Sequence, residues 1–137
     1  MRKKWCLRDK YSLRISANQR GEKAERLAKQ YICSQGLTFL AKNVRYPFGE
    51  IDLIAEDGDE LVFIEVKFRS NSSHGLASET VSKKKQKRLT LAAQRWLKDN
   101  QRYQNRYCRF DLIAIDSRID VKQLNWEKNA FQASEYP

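Results

Sequence analysis

The sequence predicts an α/β domain. Three observations carry this: an apolar stripe at helical spacing before residue 35, a second stripe past residue 82, and a group of apolar runs with strand character between them. One or two more strands follow the second helix, and neither a tandem repeat nor a linker divides the 137 residues. A chain of this length is most simply one domain with room for a proper core.

Residues 1–16, MRKKWCLRDKYSLRIS, show no period and are expected to form a loose basic arm, with one domain over 17–137. From about Asn18 to Ser34, the residues Ala24, Leu27, Ala28, Tyr31 and Ile32 fall on one stripe, and Gly36 is the expected stop. LTFLAKNV reads as a strand, RYPFG as a connection, and EIDLIA as a second strand. In EDGD, Asp57-Gly58 suits a tight hairpin turn into the partner strand LVFIEVKFR. SNSSHG is a polar loop. The second helix runs from Ser82, the expected N-cap, to about Asp99, burying Leu89, Ala92, Ala93, Trp96 and Leu97. CRFDLIAID is a further strand, and a short one is expected near Val121 to Trp126. Trp96, Tyr103 and Tyr107 are expected in core or loop packing.

Composition narrows the function classes. A hydrophobic fraction of 41% with 11% aromatics argues against wholesale disorder. No apolar run approaches a membrane span, and the basic N-terminus lacks the apolar stretch of a signal peptide. Cys6, Cys33 and Cys108 are scattered and lack metal-binding spacing, so reduced thiols and a cytoplasmic location are expected. The net charge of +10 is uneven: residues 81–109 carry ten Lys and Arg against one acid, while 50–65 carry seven acids and no base. Such an excess suits a polyanionic partner, and it equally suits a soluble protein with solvated lysines. A membrane partner is not expected, because no helix joins this charge to a broad exposed apolar face.

The strand LVFIEVKFR holds the chemical signal. One of its faces, Val62, Ile64, Val66 and Phe68, is wholly apolar. The other begins with Leu61 and Phe63 and ends with Glu65, Lys67 and Arg69. Buried charge is costly unless it is paired or bound to metal. In GEIDLIA, Glu50 and Asp52 alternate with Ile51 and Leu53, which places both acids on one face. Asp52 and Glu65 are 13 positions apart, and pairing about the Asp57-Gly58 turn brings them roughly opposite each other. Three carboxylates on an apolar sheet repel one another unless a cation is present, and Lys67 with a divalent metal would supply one.

Glu25 borders the first helix's stripe and can reach this cluster if the stripe packs on the sheet, whereas Glu22 lies further round toward solvent. Glu25 can equally form an i, i+4 pair with Lys29. The acid-x-Lys pattern alone says little, since Asp120-Val121-Lys122 repeats it in a polar segment. The single histidine, His74, sits in a polar loop and makes no credible Ser-His-Asp set.

The stretch GEIDLIAEDGDELVFIEVKFRS resembles the core of the PD-(D/E)xK nuclease superfamily, the restriction-endonuclease-like fold that includes Holliday junction resolvases. In order, GEKAERLAKQYICSQGL, GEIDLIA, FIEVKFR, SKKKQKRLTLAAQRWL, RFDLIAI and NWEKNAF resemble the YraN family of predicted endonuclease-like proteins, over about Gly21 to Phe131. That resemblance implies a three-layer core, with a central mixed sheet of four to five strands flanked by helices. It implies metal binding by Asp52 and Glu65, with the Val66 carbonyl and Glu50 assisting, and a water-orienting role for Lys67. It also matches Glu25 to the acid on the first helix of resolvase-like members. Ile51 stands where the superfamily pattern has proline.

The reaction implied is Mg²⁺- or Mn²⁺-dependent phosphodiester hydrolysis of nucleic acid, most simply DNA, without a small-molecule cofactor. Lys83, Lys84, Lys85, Lys87 and Arg88, with Arg69, would grip phosphates, and Lys85 is singled out because it lies four residues before Leu89 on the sheet-facing side. Resolvase-like relatives act as dimers, which makes a homodimer an expectation. Two other readings stand beside a structure-selective nuclease: a nucleic-acid-binding protein with an unused site, and an interaction module of a larger assembly.

Overall fold

The computed structural model describes residues 17–69, 81–116 and 124–133. The expected arm, the loop holding His74, and Asp120 to Lys122 lie outside these residues, as does the Arg69 side chain. The elements are α1 (Ala17–Ser34), β1 (Thr38–Tyr46), β2 (Gly49–Asp57), β3 (Glu60–Arg69), α2 (Lys83–Asp99), a 3-10 turn (Gln101–Tyr103), β4 (Tyr107–Asp116) and β5 (Asn125–Phe131). The five strands form one mixed sheet in the order β1-β2-β3-β4-β5, antiparallel except for the parallel pair β3–β4. The crossover between those two strands carries α2, as a parallel connection requires.

The helices cover opposite faces, which makes three layers. Ala24, Leu27, Ala28 and Ile32 of α1 pack on Leu53, Ala55, Val62, Ile64, Ile113 and Ile115. Leu89, Ala92, Ala93 and Trp96 of α2 pack with Ile51, Ile54, Leu61, Phe63 and Phe110 on the other side. At roughly 1.5–3 kcal/mol for each fully buried large aliphatic side chain, these two layers supply the main drive to fold. None of the helices among the described residues is long and apolar enough to cross a membrane.

The helix ends follow local rules. Gly36 sits at φ +96°, its amide bonds the Cys33 carbonyl, and Leu37 bonds back to Ile32. This is the Schellman closure, with Leu37 and Ile32 in one apolar cluster. At the start of α2, Ser82 Oγ accepts the Lys85 amide at 3.1 Å, the predicted N-cap.

Three expectations shift. Arg45 and Tyr46 belong to β1 rather than to the connection, because Tyr46 pairs with Gly49 and leaves only Pro47 and Phe48 in the turn. The last strand is displaced to Asn125–Phe131, where Ile113 pairs Trp126 and Phe110 pairs Phe131. Tyr107 is 82% exposed, while Trp96 and Tyr103 are buried as expected. Tyr107 starts β4 outside the apolar clusters, and its register partner is Glu60 beside the hairpin turn.

A second charged group lies where α1 faces the sheet. Asp111, fully buried, accepts from Arg109 Nε at 3.0 Å, Trp126 Nε1 at 2.9 Å and the Asn129 amide at 2.9 Å. Arg109 also bonds Glu60 and Asp57, at 2.7 Å and 2.8 Å. The register of β4 and β5 slips here, and Asn129 takes φ +53°, so Asp111 satisfies the amide that the irregular strand leaves free.

Candidate metal centre

β2 and β3 pair from Asp57–Glu60 as far as Leu53–Ile64, around a two-residue turn whose Gly58 takes φ +61°. Beyond Leu53–Ile64 the ladder stops. Asp52 Oδ2 instead accepts the Val66 amide at 2.8 Å, so a side chain stands where the next rung would be. Carrying the register one step further sets Asp52 opposite Glu65, the pairing predicted from their spacing. Their carboxyls lie within hydrogen-bonding reach of each other. Burial, and then the Glu65 charge, push the Asp52 carboxyl up to about 7, against the pull of the Val66 amide.

Alternation along β2 breaks at this point. Ile51 packs beneath α2 and Leu53 beneath α1, although they are two positions apart. Across on β1, Asn43 takes φ +51° between the pairs Lys42–Leu53 and Val44–Ile51. The regular alternation that put Glu50 and Asp52 on one face therefore does not hold. Glu50 is exposed at the rim, with its carboxylate 3.7 Å from Arg45 Nε.

α2 supplies the cation. Lys85 Nζ lies 3.1 Å from Glu65 Oε2, on a Glu65 side chain only 9% exposed. Burial works against the Lys85 ammonium, but Glu65, then Asp52 and Glu50, outweigh it and raise its pKa. The ion-pair partner of Glu65 is thus Lys85 rather than Lys67, two residues along the same strand. Lys67 is half-buried opposite Ala114 of β4. Lys83, Lys84, Lys87 and Arg88 are exposed along the first turns of the same helix.

From the α1 side, Glu25 is half-buried and Glu22 exposed. Burial, followed by the charge of Asp52, raises the Glu25 carboxyl, while a hydrogen bond with Asn43 lowers it. Glu25 therefore lies within electrostatic reach of Asp52, as its place on the helical wheel suggested. Among the described residues, no three carboxylate, imidazole or thiolate groups are set to hold a single ion. The candidate centre is accordingly a two-carboxylate one, with Val66 backbone between the acids.

A sequence profile of the uncharacterised protein family UPF0102 matches residues 24–115. The chain belongs to this family. The match spans α1 from Ala24 onward, the fork between β2 and β3, α2 and nearly all of β4. A UPF0102 protein of Saccharophagus degradans is 44% identical over 118 residues, 86% of this chain and 97% of that protein. One from Pseudomonas fluorescens is 44% identical over 115 residues, covering 84% of this chain and 94% of its own. A Vibrio cholerae member is 42% identical over 117 residues, with 85% and 94% covered. UPF0102 is the YraN family whose motifs the sequence showed.

Sequence reasoning missed two residues at the site. Asn43 holds Glu25 and takes a left-handed conformation, and its signal was an asparagine inside the apolar run LTFLAKNV. Gly49 lies so close to α2 that a Cβ there would overlap the Arg88 carbonyl oxygen. The glycine of GEID is a requirement of packing, visible only once α2 is in place.

Proposed function

We propose that this UPF0102 protein is a metal-dependent, structure-selective DNA endonuclease that uses Mg²⁺ or Mn²⁺. The supporting observation is the Asp52–Glu65 carboxyl pair at the β2–β3 fork, directly beside the basic first turn of α2. The likeness of GEIDLIA and FIEVKFR to the PD-(D/E)xK core points the same way.

The residues present fit such an ion. Their donors are all oxygens, the preference of hard cations, and Mg²⁺ is commonly held by one or two carboxylates with water and substrate phosphate completing its shell. Burial, and then the charge of Glu65, raise the pKa of Asp52, and a cation between the two carboxylates would relieve that repulsion. Asp52 and Glu65 would hold the ion, with the Val66 carbonyl as a further donor and Glu50 at the rim. When bound, it would polarise the phosphate, lower the pKa of a water and stabilise the leaving oxygen.

The chain's own residues then divide the remaining work. Lys67 orients the attacking water and faces the developing negative charge. Glu25, with its raised pKa, holds or accepts a proton on the α1 side of Asp52. Lys83, Lys84, Lys85, Lys87 and Arg88, joined by Arg69, bind phosphates without regard to sequence, so binding weakens steeply with salt.

One observation favours a second reading. Lys85 already neutralises Glu65, which would let the fork persist as a binding surface without catalysis. Calorimetry with Mn²⁺ separates the two readings. The nuclease reading expects binding that Asp52→Ala with Glu65→Ala abolishes, and Mn²⁺-dependent cutting of at least one branched, nicked or single-stranded DNA. No Mn²⁺ binding, or equal cutting by Glu65→Ala protein, overturns it.

A further inference from the structure

We propose that the cleft between the β1–β2 turn and α2 takes an unpaired DNA strand, stacking a base on the Tyr46–Phe48 aromatic pair and placing its phosphates along α2. This deepens the nuclease reading and rests on it for the identity of the ligand. It commits the fork to substrates with single-stranded character.

The cleft is lined by Tyr46, Gly49, Glu50, Lys85, Arg88 and Leu89, and encloses about 260 Å³. That is below the roughly 300–1,000 Å³ of pockets that enclose drug-sized ligands. It suits one nucleotide-sized group of a passing strand better than an entire cofactor. Lys85 joins the cleft to the candidate centre, through its 3.1 Å contact with Glu65.

Two features make the lining suited to a single strand. The Tyr46 and Phe48 rings are stacked, with centroids 5.4 Å apart and planes 6° from parallel, across a turn of only two residues. Arg95 lies 5.6 Å from the ring centre of Tyr46, which lines the cleft, and Phe48, which does not itself line it, is stacked on Tyr46 at its edge. Lys85, Arg88 and Arg95 recur at i, i+3 and i+10, a row about 15 Å long on the side of α2 that faces the turn, in which Lys85 is paired with Glu65 and Arg95 with Asp99 at 3.2 Å. Aromatic faces beside a basic row form the lining of sequence-tolerant single-strand sites. A base inside a duplex hides its faces in the stack, so an aromatic platform discriminates in favour of unpaired bases. The one acid in the cleft, Glu50, has Arg45 beside its carboxylate at 3.7 Å.

Fluorescence anisotropy in EDTA, with a labelled single-stranded DNA and a blunt duplex of the same sequence, tests the cleft without calling on metal or cleavage. The single strand is expected to bind more tightly. Phe48→Ala is expected to weaken single-strand binding roughly tenfold while leaving duplex binding unchanged, and Phe48→Trp to retain it. Circular dichroism of both variants checks that the turn still folds. Equal affinity for the two DNAs, or single-strand binding indifferent to Phe48→Ala, overturns the proposal. Because no cleavage is read, a catalytically silent protein that prefers single strands sinks the nuclease reading alone. A duplex-preferring protein that cuts sinks only the cleft.

Discussion

The Lys85 ammonium and the Glu65 carboxylate meet at 3.1 Å across the gap between α2 and β3, beside the carboxyl of Asp52. The basic flank and the acidic strand, separated in sequence, form one electrostatic unit.

On the proposed reading, a lysine paired with a metal-binding carboxylate competes with the metal. Lys85→Met is expected to raise Mn²⁺ affinity roughly two- to fivefold, the scale of a partly exposed ion pair. The same variant is expected to weaken DNA binding, since the proposed phosphate contact is lost with it. Calorimetry and anisotropy on one preparation read the two opposite signs. A fall in both affinities would show that Lys85 supports the centre rather than opposing its ion.

The raised Asp52 carboxyl has a consequence for stability. With a folded pKa of about 7 against an ordinary 3.8, the folded state keeps a proton that the unfolded chain has already released. Unfolding therefore gives up a proton between about pH 4 and 7, and stability falls as pH rises through that window and then levels. At about 1.36 kcal/mol for each unit, the loss is at most about 4 kcal/mol. Urea melts at pH 5 and pH 8, without divalent metal, should show it. Asp52→Asn should flatten the difference, and an unchanged slope in that variant would assign the effect to another group.

Gly49 should tolerate no side chain. Gly49→Ala would push β2 against the Arg88 carbonyl, and the expected destabilisation is about 1–3 kcal/mol. Gly21→Ala in α1, with open space around its Cβ, is the control. It should be neutral or stabilising by up to about 1 kcal/mol, as alanine favours helix. Chemical denaturation of the pair isolates contact from propensity.

Asp111 is an acid with a structural task. Asp111→Ala removes one of the three carboxylates on Arg109, which keeps Glu60 and Asp57, and leaves the Trp126 indole and the Asn129 amide without an acceptor, and should cost about 2–5 kcal/mol. Protein that still folds should keep its Mn²⁺ affinity, because Asp111 lies among the residues facing α1 while Glu65 meets α2. Loss of metal binding in folded protein would place Asp111 at the centre instead.

Much of this architecture was legible in the chain because its signals are local. The stripe of Ala24, Leu27, Ala28 and Ile32, the Ser82 cap, the Gly36 stop and the Asp57-Gly58 turn each depend on residues a few positions apart. The turn then carried the longer inference, since a two-residue hairpin determines which residues face each other, and that placed Asp52 against Glu65. Where pairing depends on partners distant in sequence, the reading slipped. β5 moved to Asn125–Phe131 because β4 supplies its ladder and Asp111 pins its irregular backbone.

The α/β order, the facing carboxyls, the basic helix and the family were all readable along the chain. Packing between elements settled which cation reaches Glu65, why Gly49 is glycine, and how Asn43 and the broken alternation of β2 separate Glu50 from a regular shared face with Asp52. Those are contacts between elements. Periodicity reports which face of an element is buried, but the gap left between packed faces determines which side chains meet in it.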